Sequence, residues 1–175
     1  MKKNLMVVII GLLLSASLFA QEMKVVSLQK YYASCIFNFS RYVNWPADAK
    51  SGDFNIAVVG DKKVFDELQT LVTGRTVGTQ AMKVSFFKSV AELSGFNHIV
   101  YLSSWNNKDY GKLLTKISGK STLMVAEQEG MIRSGAGFDF VSVDGYMKFE
   151  MDKSNIEKAG LQVSSALEKM AYRAD

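Results

Sequence analysis

At 175 residues with 48% hydrophobic side chains, the chain is long enough for one well-packed domain and too apolar for a disordered one. Its formal charge of +4 has no basic run longer than Lys62-Lys63 beyond the first residues, so it lacks the basic stripe with interleaved aromatics that nucleic-acid binding needs. A single cysteine excludes an internal disulfide, and one histidine with one cysteine excludes the usual three- or four-ligand zinc site.

Lys2 and Lys3 precede an apolar run, Met6 to Phe19, interrupted only by Gly11, Ser15 and Ser17. The run fits the core of a secretory signal and falls short of the roughly 20 residues a bilayer span requires. Ala20 is a small residue suited to the cleavage position. Residues 1–20 are therefore read as a cleaved signal peptide and 21–175 as one exported domain with a charge near +2. Cys35 lies too far into that domain to be a lipidation site, and its apolar surroundings predict a buried, inert thiol.

From Met23 to Val43, Val25, Leu28, Tyr32, Cys35, Phe39 and Tyr42 recur at spacings of three and four, the mark of one apolar helix face. Trp45-Pro46 is expected to end that helix, because the residue before a proline is pushed out of helical geometry. Phe54 to Val59 reads as a strand stopping at Gly60-Asp61, followed by a helix from about Lys63 to Val72. After Gly74 and Gly78 come a strand from Met82 to Phe87 and a short helix capped by Ser89 and running to Leu93. A strand over His98 to Leu102, a helix near Lys108 to Ile117 and a strand from Ser121 to Ala126 follow.

Strand and helix alternate to this point, which predicts a parallel sheet covered on both faces. The remainder differs. Phe138 to Val143 and Tyr146 to Met151 flank Asp144-Gly145, a two-residue turn of the hairpin type. A final helix spans about Ser154 to Tyr172, with Gly160 dividing it into two pieces. The expected fold is an α/β, three-layer single domain, with a mixed, mostly parallel sheet, a C-terminal antiparallel hairpin and helices on both faces.

Neither a Gly-x-Ser-x-Gly elbow nor a Gly-x-x-x-x-Gly-Lys-Ser/Thr loop is present, and Gly60-Asp61-Lys62 has one glycine where a dinucleotide turn needs three. His98 opens an apolar strand, where a structural role outweighs that of a general base. Glu127 and Glu129 read as loop charges rather than an acid–base pair. No enzyme activity, no cofactor and no metal are expected. Ligands of open α/β sheets sit outside the carboxyl ends of parallel strands, here Gly60, Asp61, Ser103, Ser104 and Glu127. Helix N-termini and hydroxyls there suit a small polar or anionic ligand, such as a nucleotide or an amino acid.

Ile36-Phe37-Asn38-Phe39-Ser40-Arg41-Tyr42-Val43-Asn44-Trp45-Pro46 resembles the entry motif of the YfiR family: an aromatic-rich helix, a basic residue, an aromatic and Trp-Pro. Phe54 to Asp61, Gly74 to Gly78, Lys120 to Val125, Phe140 to Gly145, Met147 to Met151 and Ala159 to Ser165 are similar to later family segments in the same order. The resemblance implies a periplasmic signalling regulator that binds the periplasmic region of an inner-membrane sensor, a diguanylate cyclase or a histidine kinase. It further implies control of cyclic-di-GMP and biofilm growth, and a homodimer. Redox sensing through cysteine pairs does not carry over to a chain with Cys35 alone, and Asp139 departs from the family pattern. For the partner surface, Tyr31, Arg41, Tyr42, Trp45 and Phe149 are the candidates, since aromatics and arginine dominate interface energetics. Trp45 as a core plug and Phe149 as a core strand residue are the competing readings.

Overall fold

Ser27 opens the first helix by accepting from the Lys30 N–H at 3.2 Å, and α1 (Leu28–Tyr42) buries Tyr32, Cys35, Ile36 and Phe39 along the face that the spacing predicts. The computed structural model describes residues 27–174, so the expected signal segment 1–20 lies outside the described residues. The helix stops before Trp45-Pro46 is reached. Val43 leaves helical geometry because β1 (Val43–Asn44) pairs antiparallel with β9 (Gln162–Val163).

The main sheet is built from β2 (Phe54–Val59), β3 (Thr76–Val77), β4 (Gln80–Phe87), β5 (Ile99–Leu102), β6 (Leu123–Ala126), β7 (Phe138–Val143), β8 (Tyr146–Met151) and β10 (Arg173–Ala174). Their spatial order is β10-β8-β7-β6-β5-β2-β4-β3. Pairing is parallel from β4 through β2, β5 and β6 to β7, and antiparallel between β7 and β8. Asp144 (φ 52) and Gly145 (φ 79) form the turn between those last two, placing Val143 opposite Tyr146.

The winding explains the layers. The chain steps from β2 to β4 in one direction, then returns past β2 to β5, β6 and β7 in the other. Because parallel crossovers share one hand, reversing the direction moves the connections to the opposite face of the sheet. Accordingly α2 (Lys62–Val72) packs with α1 over Ile56, Val58, Tyr101 and Val125. On the opposite face, α3 (Tyr110–Ile117) covers Ala57, Val59, Val100 and Met124. The three-layer mixed α/β domain expected from the alternation is the fold observed.

Two expected helices come out differently. Ser89 to Leu93 is a pair of overlapping turns, with Glu92 N–H bonding Ser89 O at 3.2 Å and Leu93 N–H bonding Val90 O at 3.3 Å. The last helix divides at Gly160 (φ 74), as its glycine predicts, but the pieces, α4 (Lys153–Lys158) and α5 (Ser165–Glu168), are short and the β9 strand lies between them.

Candidate functional site

Five residues predicted from strand ends gather at one end of the sheet. Gly60 follows β2 at φ 90, and a Cβ there would collide with Ser103 Oγ and Asn106 Nδ2, so only glycine fits. Asp61 Oδ1 caps α2, accepting from Lys63 N at 2.8 Å and Val64 N at 3.1 Å. Ser103 is fully buried after β5, and its N–H bonds Val59 O at 3.0 Å. The neighbouring Ser104 N–H donates to Glu127 Oε2 at 2.7 Å. This cluster straddles β2 and β5, the pair of strands at which the winding reverses, where doubly wound sheets leave a crevice.

Three further polar groups join it. Tyr101 of β5 is 0% exposed, and its hydroxyl lies buried beside Glu127. Tyr32 reaches the same region from α1, its ring 6.2 Å from that of Tyr101. Burial, then the charges of Glu127 and Asp61, push both phenols up, Tyr32 to about 12, so both stay neutral. Asn107 donates to Gln128 Oε1 while its own Oδ1 is buried without a partner. Sequence reasoning missed these three. Tyr101 lies inside a wholly buried strand and Tyr32 on an apolar helix face, and both read as core. Trp105 stands next to Ser104 with 83% of its surface exposed.

The opposite end of the sheet, at the strand starts, holds a cleft of about 550 Å³ lined by Arg41, Tyr42, Trp45, Lys50, Phe54 and Gln80 among others. Its lining carries two cationic side chains and no acidic one. Trp45 forms its floor: it is 3% exposed, donates from Nε1 to Ser121 O at 3.0 Å, and packs edge-on against Phe54. Beneath the floor, His98 donates from Nε2 to Ala49 O at 2.7 Å and accepts from Asn55 N at 3.0 Å through Nδ1. Both ring nitrogens are therefore satisfied in the neutral form, and burial pushes the imidazole below its usual pKa. Gln80 ties the same loop down through Ala49 O and Ser51 O. His98 is structural.

The five candidate partner residues separate by exposure. Arg41 and Tyr42 are exposed at the cleft rim. Tyr31 is half-buried, edge-on to Phe140 with ring centroids 6.0 Å apart. Trp45 and Phe149 are core side chains; Phe149, 6% exposed, packs edge-on to Phe39 and Phe138 and presents no surface to a partner. Elsewhere, burial raises the Cys35 thiol to about 11, leaving it protonated. Asp139 is fully buried opposite Glu150 on the hairpin and accepts from Ile132 N at 3.2 Å; burial first, with Glu150 adding to it, raises its carboxyl.

Among the described residues, no group of three His, Cys, Asp or Glu side chains could hold a metal ion, and no helix is long and apolar enough to cross a membrane. The molecule is thus a doubly wound α/β domain with a cluster of carboxylates and hydroxyls at the carboxyl end of its sheet and a basic, aromatic cleft at the amino end. No curated protein matches the chain. A family model does, over residues 29–172, and the chain belongs to the YfiR/HmsC-like family.

Proposed function

We propose that the protein is a non-catalytic periplasmic regulator that binds the periplasmic region of an inner-membrane sensor and holds that sensor in one state. The sensor is a diguanylate cyclase or a histidine kinase. Family membership across nearly the whole described domain carries this reading. The amino-end cleft supports it, because Arg41 and Tyr42 are the interface-prone residue types left exposed next to an aromatic floor. A carboxylate and an apolar side chain of the sensor would complement that rim. Regulation follows from linkage: any signal that prefers the free protein shifts the bound population by its differential affinity.

Capture from detergent-solubilised envelopes tests it. The protein should retain a membrane sensor with a periplasmic domain, and Arg41→Ala/Tyr42→Ala should lower the yield at least tenfold with its thermal midpoint unchanged. Deleting the gene should change cyclic-di-GMP or kinase output. Unchanged output in the deletion strain, together with capture indifferent to both substitutions, overturns the reading.

A further inference from the structure

The backbone hydrogen bonds of β4 run out along its outer side. Met82 N–H donates to Arg75 O at 3.0 Å on the side of β3, whereas Phe87 O accepts from Gly60 N–H at 2.9 Å on the side of β2. Successive strand residues direct their N–H and C=O to opposite edges, so the even-numbered residues of β4 face outward. The β3 strand covers that edge only through the pairs Thr76 with Ala81 and Val77 with Gln80 and the Arg75 bond. At the far end Glu92 Oε2 accepts from Lys88 N–H at 3.0 Å. Between these two stoppers, the N–H and C=O groups of Val84 and Phe86 have no strand beside them among the described residues. Both side chains are half-buried on the α2 face, where the Phe86 ring lies 5.9 Å from that of Phe65. Lys83 and Ser85, on the other face, are exposed.

We propose that this edge pairs antiparallel with the same edge of a second copy of the chain, joining the two sheets about a two-fold axis at Ser85. A bare edge accepts any extended strand through its backbone, so the side chains decide the occupant. With Ser85 opposite Ser85, Val84 of each copy exchanges both backbone bonds with Phe86 of the other, and all the outward groups of both residues are used. On the α2 face this brings together two valines and two phenylalanines, the aromatic and β-branched pairing that stabilises neighbouring strands. On the other face Lys83 meets Phe87 of the second copy. An edge lysine ordinarily guards against such pairing, but here the axis holds the two lysines apart. Moving the axis to Lys83 would oppose like charges, which fixes the register. The interface is isologous, the same patch on both copies, as a two-fold requires. The open stretch lies further along β4 than Gln80, the residue that the strand contributes to the docking cleft, so it stands or falls separately from the sensor interface.

Analytical ultracentrifugation of the purified protein over a dilution series tests the pairing. A strand pair this short buries less than a standard interface, so a monomer–dimer equilibrium that shifts with concentration is expected. Val84→Pro removes an outward N–H at an edge position that tolerates proline, and should weaken association by about tenfold or more, with the monomer still folded by circular dichroism. Crosslinking reads the register. In a Cys35→Ala background, Ser85→Cys should form a disulfide between copies under mild oxidation, because opposed residues of a non-hydrogen-bonded pair have Cα atoms about 4.5 Å apart, within disulfide range. Lys83→Cys should not, because Phe87 stands opposite it. Arg41→Ala/Tyr42→Ala should associate as the native chain does, which separates this surface from the docking rim. A protein that stays monomeric at every concentration overturns the proposal. So does a dimer that Val84→Pro leaves intact, or one in which Lys83→Cys crosslinks as readily as Ser85→Cys. A monomer whose capture of the sensor is lost in Val84→Pro also overturns it, and gives the edge to a strand of that partner.

Discussion

The two ends of the sheet treat polar groups in opposite ways. At the amino end every buried polar side chain is matched: both His98 nitrogens, the Gln80 amide and the Trp45 indole N–H all have backbone partners. At the carboxyl end Asn107 Oδ1 is buried and unmatched, and the Tyr101 hydroxyl is buried beside the charge of Glu127. A matched buried network fixes a fold and contributes most to its uniqueness, whereas an unmatched one lowers stability until something completes it. The amino end thus reads as a rigid platform beneath an exposed rim, and the carboxyl end as the less completely matched of the two.

Four measurements would break or sharpen that contrast. Trp45→Ala removes the cleft floor and its bond to Ser121, and should destabilise the protein by about 3–5 kcal/mol in denaturant titration. A small loss would mean the amino end is not a platform. Gly60→Ala forces a Cβ into Ser103 and Asn106 at a left-handed φ, and should lower stability by about 1–3 kcal/mol.

The third is a pH dependence. His98 has its pKa lowered by folding, so the unfolded chain binds its proton first and stability must fall as the pH drops below about 6.5. The slope should not exceed about 1.4 kcal/mol per pH unit for this one proton. It should vanish, above the range of carboxylate titration, in His98→Phe, a variant less stable at neutral pH because Ala49 O and Asn55 N lose their partner. Smallest of all, Arg41→Ala and Tyr42→Ala should each change stability by no more than about 0.5 kcal/mol, because exposed rim residues hold nothing together. A larger loss by chemical denaturation would make the rim part of the fold and weaken it as a docking surface.

How far the sequence could be read depended on the range of the interactions. Local signals were legible: the Asp144-Gly145 turn set the hairpin register residue by residue, and the three–four spacing of α1 gave its buried face. Ladders of two residues, β1 with β9 and β10 with β8, carry no pattern of their own and arise from tertiary contact. The β1–β9 pair explains why α1 ends at Tyr42 rather than at the proline and why a strand separates the two pieces of the last helix. The strand-end residues Gly60, Asp61, Ser103, Ser104 and Glu127 could be placed at one end of the sheet because strand boundaries were legible. The tyrosines facing them were not, because a hydroxyl at the tip of a buried ring looks apolar in a hydrophobic run. For Trp45 and Phe149 sequence could name the alternatives, core or interface, but only packing shows which surfaces face solvent.

Cys35 carries a last consequence. Its sulfur is sealed beneath α1 and held as the protonated thiol, and the chain has no second cysteine to meet it. In an oxidising compartment this polypeptide matures without any disulfide catalyst, and no mispaired isomer can form within one molecule. Two copies become crosslinked only where α1 has lifted off the sheet. A covalent dimer on a non-reducing gel is therefore a record of damage to the molecule, and its abundance gauges how often that helix comes away.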